Sequence, residues 1–155
     1  QTILYLADNA GEIAIDRLLI EAIGPKRVTL AVRGFPVLND ATLVDAREVG
    51  MHDLVEVIDN GSDAAGTILT DCSASFLKRF QRADLILVKG QGNFETLSDV
   101  EGNLFFLLKV KCAVVARDLG CRMGEMVVRR HRPVPRSRAA NSHEDFDWVS
   151  EEAHS

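Results

Sequence analysis

The chain has 155 residues, 46% of them apolar and 26% charged, a composition that suits one folded domain with a substantial core. A net charge of -5 argues against general affinity for nucleic acid, and no apolar run reaches the roughly 18 residues of a membrane span. Cys72, Cys112 and Cys121 are odd in number and widely spaced, which excludes a disulfide framework or zinc knuckle and leads us to expect reduced thiols in a cytoplasm.

The first predicted strand is Thr2–Ala7, and a chain that opens there without Met or a signal peptide is expected to be part of a longer protein. Ile13, Leu18, Leu19, Ala22 and Ile23 recur at helical spacing, and Gly24-Pro25 stops that helix. Arg27–Val32 is a second strand, ending in the turn Arg33-Gly34-Phe35-Pro36; Asn39 or Asp40 then caps a short helix carrying Leu43, Val44 and Val49. Leu54–Ile58 is a third strand. Ser73 to Arg82 reads as a helix with Phe76, Leu77 and Phe80 inward, and Leu85–Val88 as a fourth strand running into a glycine-rich loop. Leu104–Leu108 is a wholly apolar fifth strand, Lys111 to Leu119 a helix, and Met126–Val128 a last short strand.

Apolar runs alternating with helical patterns predict an α/β fold, a doubly wound, Rossmann-like parallel sheet with helices on both faces. The domain covers 1–128. From 129 to 155 five arginines flank Pro133 and Pro135, and acids follow. Little there can be buried, so this segment is expected to be a disordered tail with Phe146–Trp148 as its one anchor.

Three loops follow strands and carry groups suited to phosphate or metal. Asp8-Asn9-Ala10-Gly11-Glu12 comes first, with oxygen donors of the kind a hard divalent cation takes. The second leads into Asn39-Asp40-Ala41-Thr42 and Asp45. The third is Lys89-Gly90-Gln91-Gly92-Asn93, where two glycines permit close backbone approach and Lys89 offers a point charge to an oxyanion. A parallel sheet brings all three to one edge, where open α/β sheets bind ligands. Each has a plainer reading: Asp8 and Asp40 as helix caps, Asp45 as a solvated helix position. Ser62, Thr67 and His52 read as turn residues, and Cys112 as a buried thiol.

With Asp8-Asn9-Ala10-Gly11-Glu12, Arg33-Gly34-Phe35-Pro36 leading to Asn39-Asp40-Ala41-Thr42 and Asp45-Ala46, and Lys89-Gly90-Gln91-Gly92-Asn93 with Glu95, the chain resembles the damage-control phosphatase family, in its prokaryotic-type branch. The resemblance covers roughly residues 1–128. It implies an α/β domain that holds a divalent metal (Mn, Co, Ni or Mg) through Asp8, Asn9 and Asp45. Asp45 is preferred to Asp40 because the second motif ends in an Asp-Ala pair. It further implies Lys89, with the backbone of Gly90, Gly92 and Asn93, on the phosphate of a small phosphorylated metabolite. Asp40 or Glu12 would orient the attacking water. The family carries a helical region ahead of the first motif that has no counterpart here.

The expected activity is metal-dependent hydrolysis of small phosphate monoesters, with Asp8, Asn9, Asp40 and Asp45 in the catalytic set. Two alternatives stand beside it. One is a non-catalytic metal- or phosphate-binding module. The other is a methyltransferase, which calls for a Gly-x-Gly-type turn after strand one and an acid ending strand two, where the chain has Asp8-Asn9 and Arg33.

Overall fold

The computed structural model describes residues 1–131. The strands are β1 (Ile3–Leu6), β2 (Val28–Val32), β3 (Glu56–Asp59), β4 (Leu85–Lys89), β5 (Leu104–Lys109) and β6 (Met126–Arg130). The helices are α1 (Ile13–Ile23), α2 (Leu43–Glu48), α3 (Ala74–Arg82), α4 (Gln91–Leu97) and α5 (Ala113–Leu119). Among the described residues, no helix is long and apolar enough to cross a membrane.

All six strands join one sheet in the order β3-β2-β1-β4-β5-β6. β1 is paired in parallel on both sides, Ile3 with Val28 and with Leu85, and its four residues are all buried. Strands with two covered faces must be apolar on both, which is why β1 reads as an unbroken run. Ile3, Tyr5 and Ala7 face α1 and α2, packing on Ile13, Ile20 and Ala46. Leu4 and Leu6 face the opposite way, toward Phe76 and Phe80 of α3, Leu97 of α4 and Val115 of α5. Helices therefore cover both faces, and the doubly wound architecture read from the sequence is the one observed.

Three details depart from the sequence reading. The glycine-rich segment after β4 is the start of α4, because Gly90 alone makes the turn and Gln91 is already helical. Thr42, not Asn39 or Asp40, caps α2, in a reciprocal capping box with Asp45. β6 runs antiparallel to β5, pairing Lys109 with Met126 and Phe105 with Arg130. Gly120 and Gly124, both at positive φ, turn the chain back at the carboxyl end of β5, where Gly124 N–H donates to the Val110 carbonyl. Arg129 and Arg130, placed in the tail by composition, thus belong to the sheet, and the His131 N–H donates to the Leu104 carbonyl at 2.8 Å; residues 132–155, with Phe146–Trp148, lie outside the described residues.

The order places the switch point between β1 and β4, where successive connections leave in opposite directions. The crevice outside those two carboxyl ends is where such sheets bind ligands.

Phe106 is buried in the core, edge-on to Phe94 with ring centroids 5.1 Å apart. Phe106→Ala is expected to cost about 3–5 kcal/mol, through lost burial and the cavity left behind. Urea unfolding should show a lower midpoint at unchanged slope, and a midpoint equal to that of the parent chain would contradict this packing.

Candidate functional site

Asp8 follows β1 by two residues, and its carboxylate lies directly over the backbone of Gly90 at the end of β4. A Cβ added at Gly90 would stand 2.0 Å from the Asp8 Cγ, and 2.1 and 2.4 Å from its oxygens. Gly90 also has a φ of +82°, so space and backbone both demand glycine here.

The chain after β2 comes back to this point. The Ala41 N–H donates to the Asp8 carbonyl at 2.8 Å, the Ala10 N–H donates to the Asn39 carbonyl at 2.8 Å, and Asn9 and Asp40 form an antiparallel bridge. This short ribbon sets Asp40 beside Asp8 and Asn9. The Asn9 side-chain oxygen accepts the Gly11 N–H at 2.7 Å, an Asx turn that orients the amide.

Asp40 is held in turn by Arg33, whose Nε donates to Oδ2 at 2.7 Å, the two side chains being 4% and 10% exposed for Arg33 and Asp40 respectively. The remaining guanidinium nitrogens donate to Thr67 Oγ1 at 3.0 Å and Asn93 Oδ1 at 2.9 Å. Asn93, fully buried, also accepts from the Thr67 hydroxyl and donates to the carbonyls of Ala7 and Lys89 at 3.1 and 2.7 Å. Both ends of its side-chain amide are thereby spent on protein, which gives the side chain a framework role and leaves the backbone N–H as the group expected to meet a phosphate.

Lys89 leaves β4 on the face of the sheet that carries α1. Its ammonium donates to Asp16 Oδ1 at 2.6 Å and to Glu12 Oε2 at 3.0 Å, and Asp16 also accepts the Tyr5 hydroxyl at 2.7 Å. Asp16 is 2% exposed, and its second oxygen is buried without a partner among the described residues. Burial by itself pulls the Lys89 ammonium down, but Asp16 and Glu12 outweigh it and hold the group above its ordinary value. The Tyr5 hydroxyl is pushed up by burial and by the neighbouring Asp16.

Asp45 goes elsewhere. Its Oδ2 accepts the Thr42 N–H at 2.8 Å and the Thr42 hydroxyl at 2.7 Å, and the Thr42 hydroxyl bond is foremost in drawing its carboxyl down. Of the two acids in the second motif, Asp40 is the one the ribbon sets against Asn9. The preference for Asp45 over Asp40 rested on the Asp-Ala pair that the family resemblance implies, and the capping box gives Asp45 a role without a ligand. The Gly92 carbonyl lies 2.5 Å from where a Cβ on Gly66 would stand, so it is Gly66, at a φ of +83°, that must be glycine for its loop to meet α4. The Gly90 N–H is already spent on the Leu107 carbonyl, at 3.0 Å.

The Asp8 carboxyl is raised, first by burial and then by the charges of Asp40 and Glu12, with Arg33 and Lys111 opposing. Among the described residues no three His, Cys, Asp or Glu side chains cluster as a metal site. A cation here would therefore rest on two acids and the neutral Asn9 oxygen. Such an all-oxygen set fits a hard divalent ion, and the crowding of like charge around Asp8 is what a cation relieves. A cavity of about 930 Å³ lies at the opposite, amino edge among Lys26, Arg27, Lys78, Arg79 and Arg82, and the acid–amide set is not part of it.

The roles of Arg33 and Asp16 were not read from the sequence, and Thr67 was read as a turn residue. Arg33 had a usable signal, a charged residue placed directly at the end of a core strand. Asp16 had another, an acid between Ile13 and Ile20 on the apolar stripe of α1. Thr67 had none; Ser62, whose hydroxyl bonds Asp71, keeps its turn role.

The fold and this cluster define a doubly wound α/β domain with an acid-rich site at its switch point. The chain belongs to the family of the damage-control phosphatase ARMT1-like domain, whose family model matches residues 1–127. It is 46% identical over 132 residues to an uncharacterized protein of Methanocaldococcus jannaschii, covering 81% of this chain and 43% of that protein. It is 42% identical over 136 residues to a damage-control phosphatase of Pyrococcus horikoshii, covering 85% of this chain and 47% of the relative. A crystal structure of a DUF89 family protein from Pyrococcus horikoshii superposes with a TM-score of 0.80 at 42% identity, over 84% of this chain and 47% of that one. The chain thus spans less than half the length of these relatives.

Ionising Asp8 in the folded chain costs stability because its carboxyl is raised. The penalty is absent below the unfolded value of 3.8, where the group is neutral in both states, and it grows as pH rises and is complete above the folded value. Asp8→Asn should therefore melt above the parent at pH 7 in chelated protein, with the difference vanishing below about pH 4. Equal melting temperatures at pH 7 would remove the crowding. Arg33→Ala leaves Asp40 and Asn93 buried without their cation and should cost about 3–5 kcal/mol in urea unfolding.

Proposed function

We propose that this domain carries the site of a metal-dependent phosphatase acting on small phosphate monoesters, such as sugar phosphates or damaged phosphorylated metabolites. The observation that carries the proposal is the meeting of Asp8, Asn9 and Asp40 beside Gly90 and Lys89 at the switch point. Membership of a phosphatase family supports it.

Asp8 and the free Oδ1 of Asp40 would supply anionic oxygens to the metal, and Asn9 a neutral one, with Arg33 fixing the direction of Asp40. A bound Mn, Co, Ni or Mg ion would supply neutralisation of phosphoryl charge and a water of lowered pKa. Lys89 would donate to a phosphoryl oxygen. The N–H groups of Gln91, Gly92 and Asn93, in the first turn of α4, are the backbone donors for the same group. Gly90 keeps the floor low enough for a phosphate to approach Asp8. With Asp40 held by Arg33, half-exposed Glu12 is the acid placed to orient a water.

The test is hydrolysis of p-nitrophenyl phosphate by the full chain after chelation and readdition of each metal, with metal affinity measured alongside by calorimetry. Asp40→Asn is expected to lose metal binding and metal-restored turnover together. Asp45→Ala should keep the metal and lose only about 1 kcal/mol of stability with its capping box. The reverse pattern would return the ligand role to Asp45. Binding without turnover would identify a metal-binding domain that needs the rest of a longer protein for catalysis, and no binding would overturn the proposal.

A further inference from the structure

We infer that Asp16, backed by Tyr5, is a positioning residue that fixes the direction in which Lys89 meets a phosphate. The inference rests on the reading of Lys89 as a phosphate contact.

Three elements build the arrangement. Tyr5 of β1 is in register with Leu87 of β4, and Lys89, two residues further on, points to the same face of the sheet. α1 crosses that face and lowers Asp16 between them from the stripe formed by Ile13 and Ile20. One carboxylate oxygen then receives both the Tyr5 hydroxyl, at 2.7 Å, and the Lys89 ammonium, at 2.6 Å. The other oxygen is buried without a partner among the described residues, a cost that a purely structural pair would shed by becoming apolar.

The second partner of Lys89 is of a different kind. Glu12 has a side chain 50% exposed, against 2% for Asp16, so water can replace it as a partner. An ammonium has three donors. Asp16 holds one permanently, Glu12 yields a second when an anion arrives, and the third is free. Lys89 is thus aimed by a group that cannot move and screened by one that can.

The sign of the effect separates this role from a plain charge effect. Asp16 is an anion near an anion site, so removing its charge alone should tighten phosphate binding, whereas removing an anchor should weaken it. The measurement is titration of inorganic phosphate into the full chain saturated with Mn, by calorimetry, together with the rate of reductive methylation of Lys89 in metal-free protein. Asp16→Asn is expected to raise the phosphate Kd about tenfold and to speed Lys89 methylation. Tyr5→Phe, which keeps the core ring, should move both in the same direction by about two- to threefold. It also serves if Asp16→Asn fails to fold. Unchanged or tighter phosphate binding in folded variants would overturn the inference. If the parent chain binds Mn but no phosphate, the assignment of Lys89 to phosphate falls first, a failure distinct from a parent that binds and variants that match it.

Discussion

The guanidinium of Arg33 reaches three partners from three different segments, Asp40, Thr67 and Asn93, and Asn93 closes in turn on the carbonyls of Ala7 and Lys89 at the ends of β1 and β4. A planar fork with five donors suits this task where an ammonium would not. Because Arg33, Thr67 and Asn93 are buried and the Asp40 side chain is only 10% exposed, these bonds are made in a low-dielectric setting, where an unmet partner is expensive. The network therefore behaves as a unit. It holds the loops after β1, β2 and β4 at fixed separation, and the placement of Asp40 against Asp8 depends on it.

Around this hub the edge carries an excess of acid. Burial raises the Asp8 carboxyl first, and the charges of Asp40 and Glu12 raise it further against the opposing Arg33 and Lys111. The two nearest cations divide the work by their chemistry. Each of the three guanidinium nitrogens of Arg33 donates to a protein partner, which makes it structural. Lys89, a compact charge on a flexible stem, is tied down on one side and left approachable on the other. An edge that ties down its arginine and leaves Asp8 crowded supports the proposal that positive charge arrives from outside, followed by the negative charge of a phosphate beside Lys89.

Several elements were legible from local pattern. β1, β2, β4 and β5 were visible as apolar runs, because a strand buried on both faces has no polar positions to interrupt it. The helix through Ala74–Arg82 showed its inward phenylalanines at the expected spacing, with Ser73 as its cap. α4 was missed because Gly90 and Gly92 read as a loop, when only Gly90 needs a positive φ and Gly92 is an ordinary helical position. The antiparallel turn of β6 was hidden for a related reason: Gly120 and Gly124 reverse the chain, and reversal leaves no mark on the apolar pattern of the strand itself.

The sequence by itself determined the α/β class, the parallel core and the edge at which Asp8, Asn9 and Lys89 would gather, since these follow from periodicity and from the rule that parallel strands end on one side. Only the tertiary structure decided which acid of the second motif stands beside them, and what Arg33, Asp16 and Asn93 are for. Those assignments rest on contacts between residues as far as 60, 73 and 86 positions apart. Local pattern says which face a side chain is on, but a hydrogen-bond partner on another loop is chosen by how the loops pack, and that packing exists only once the sheet has formed.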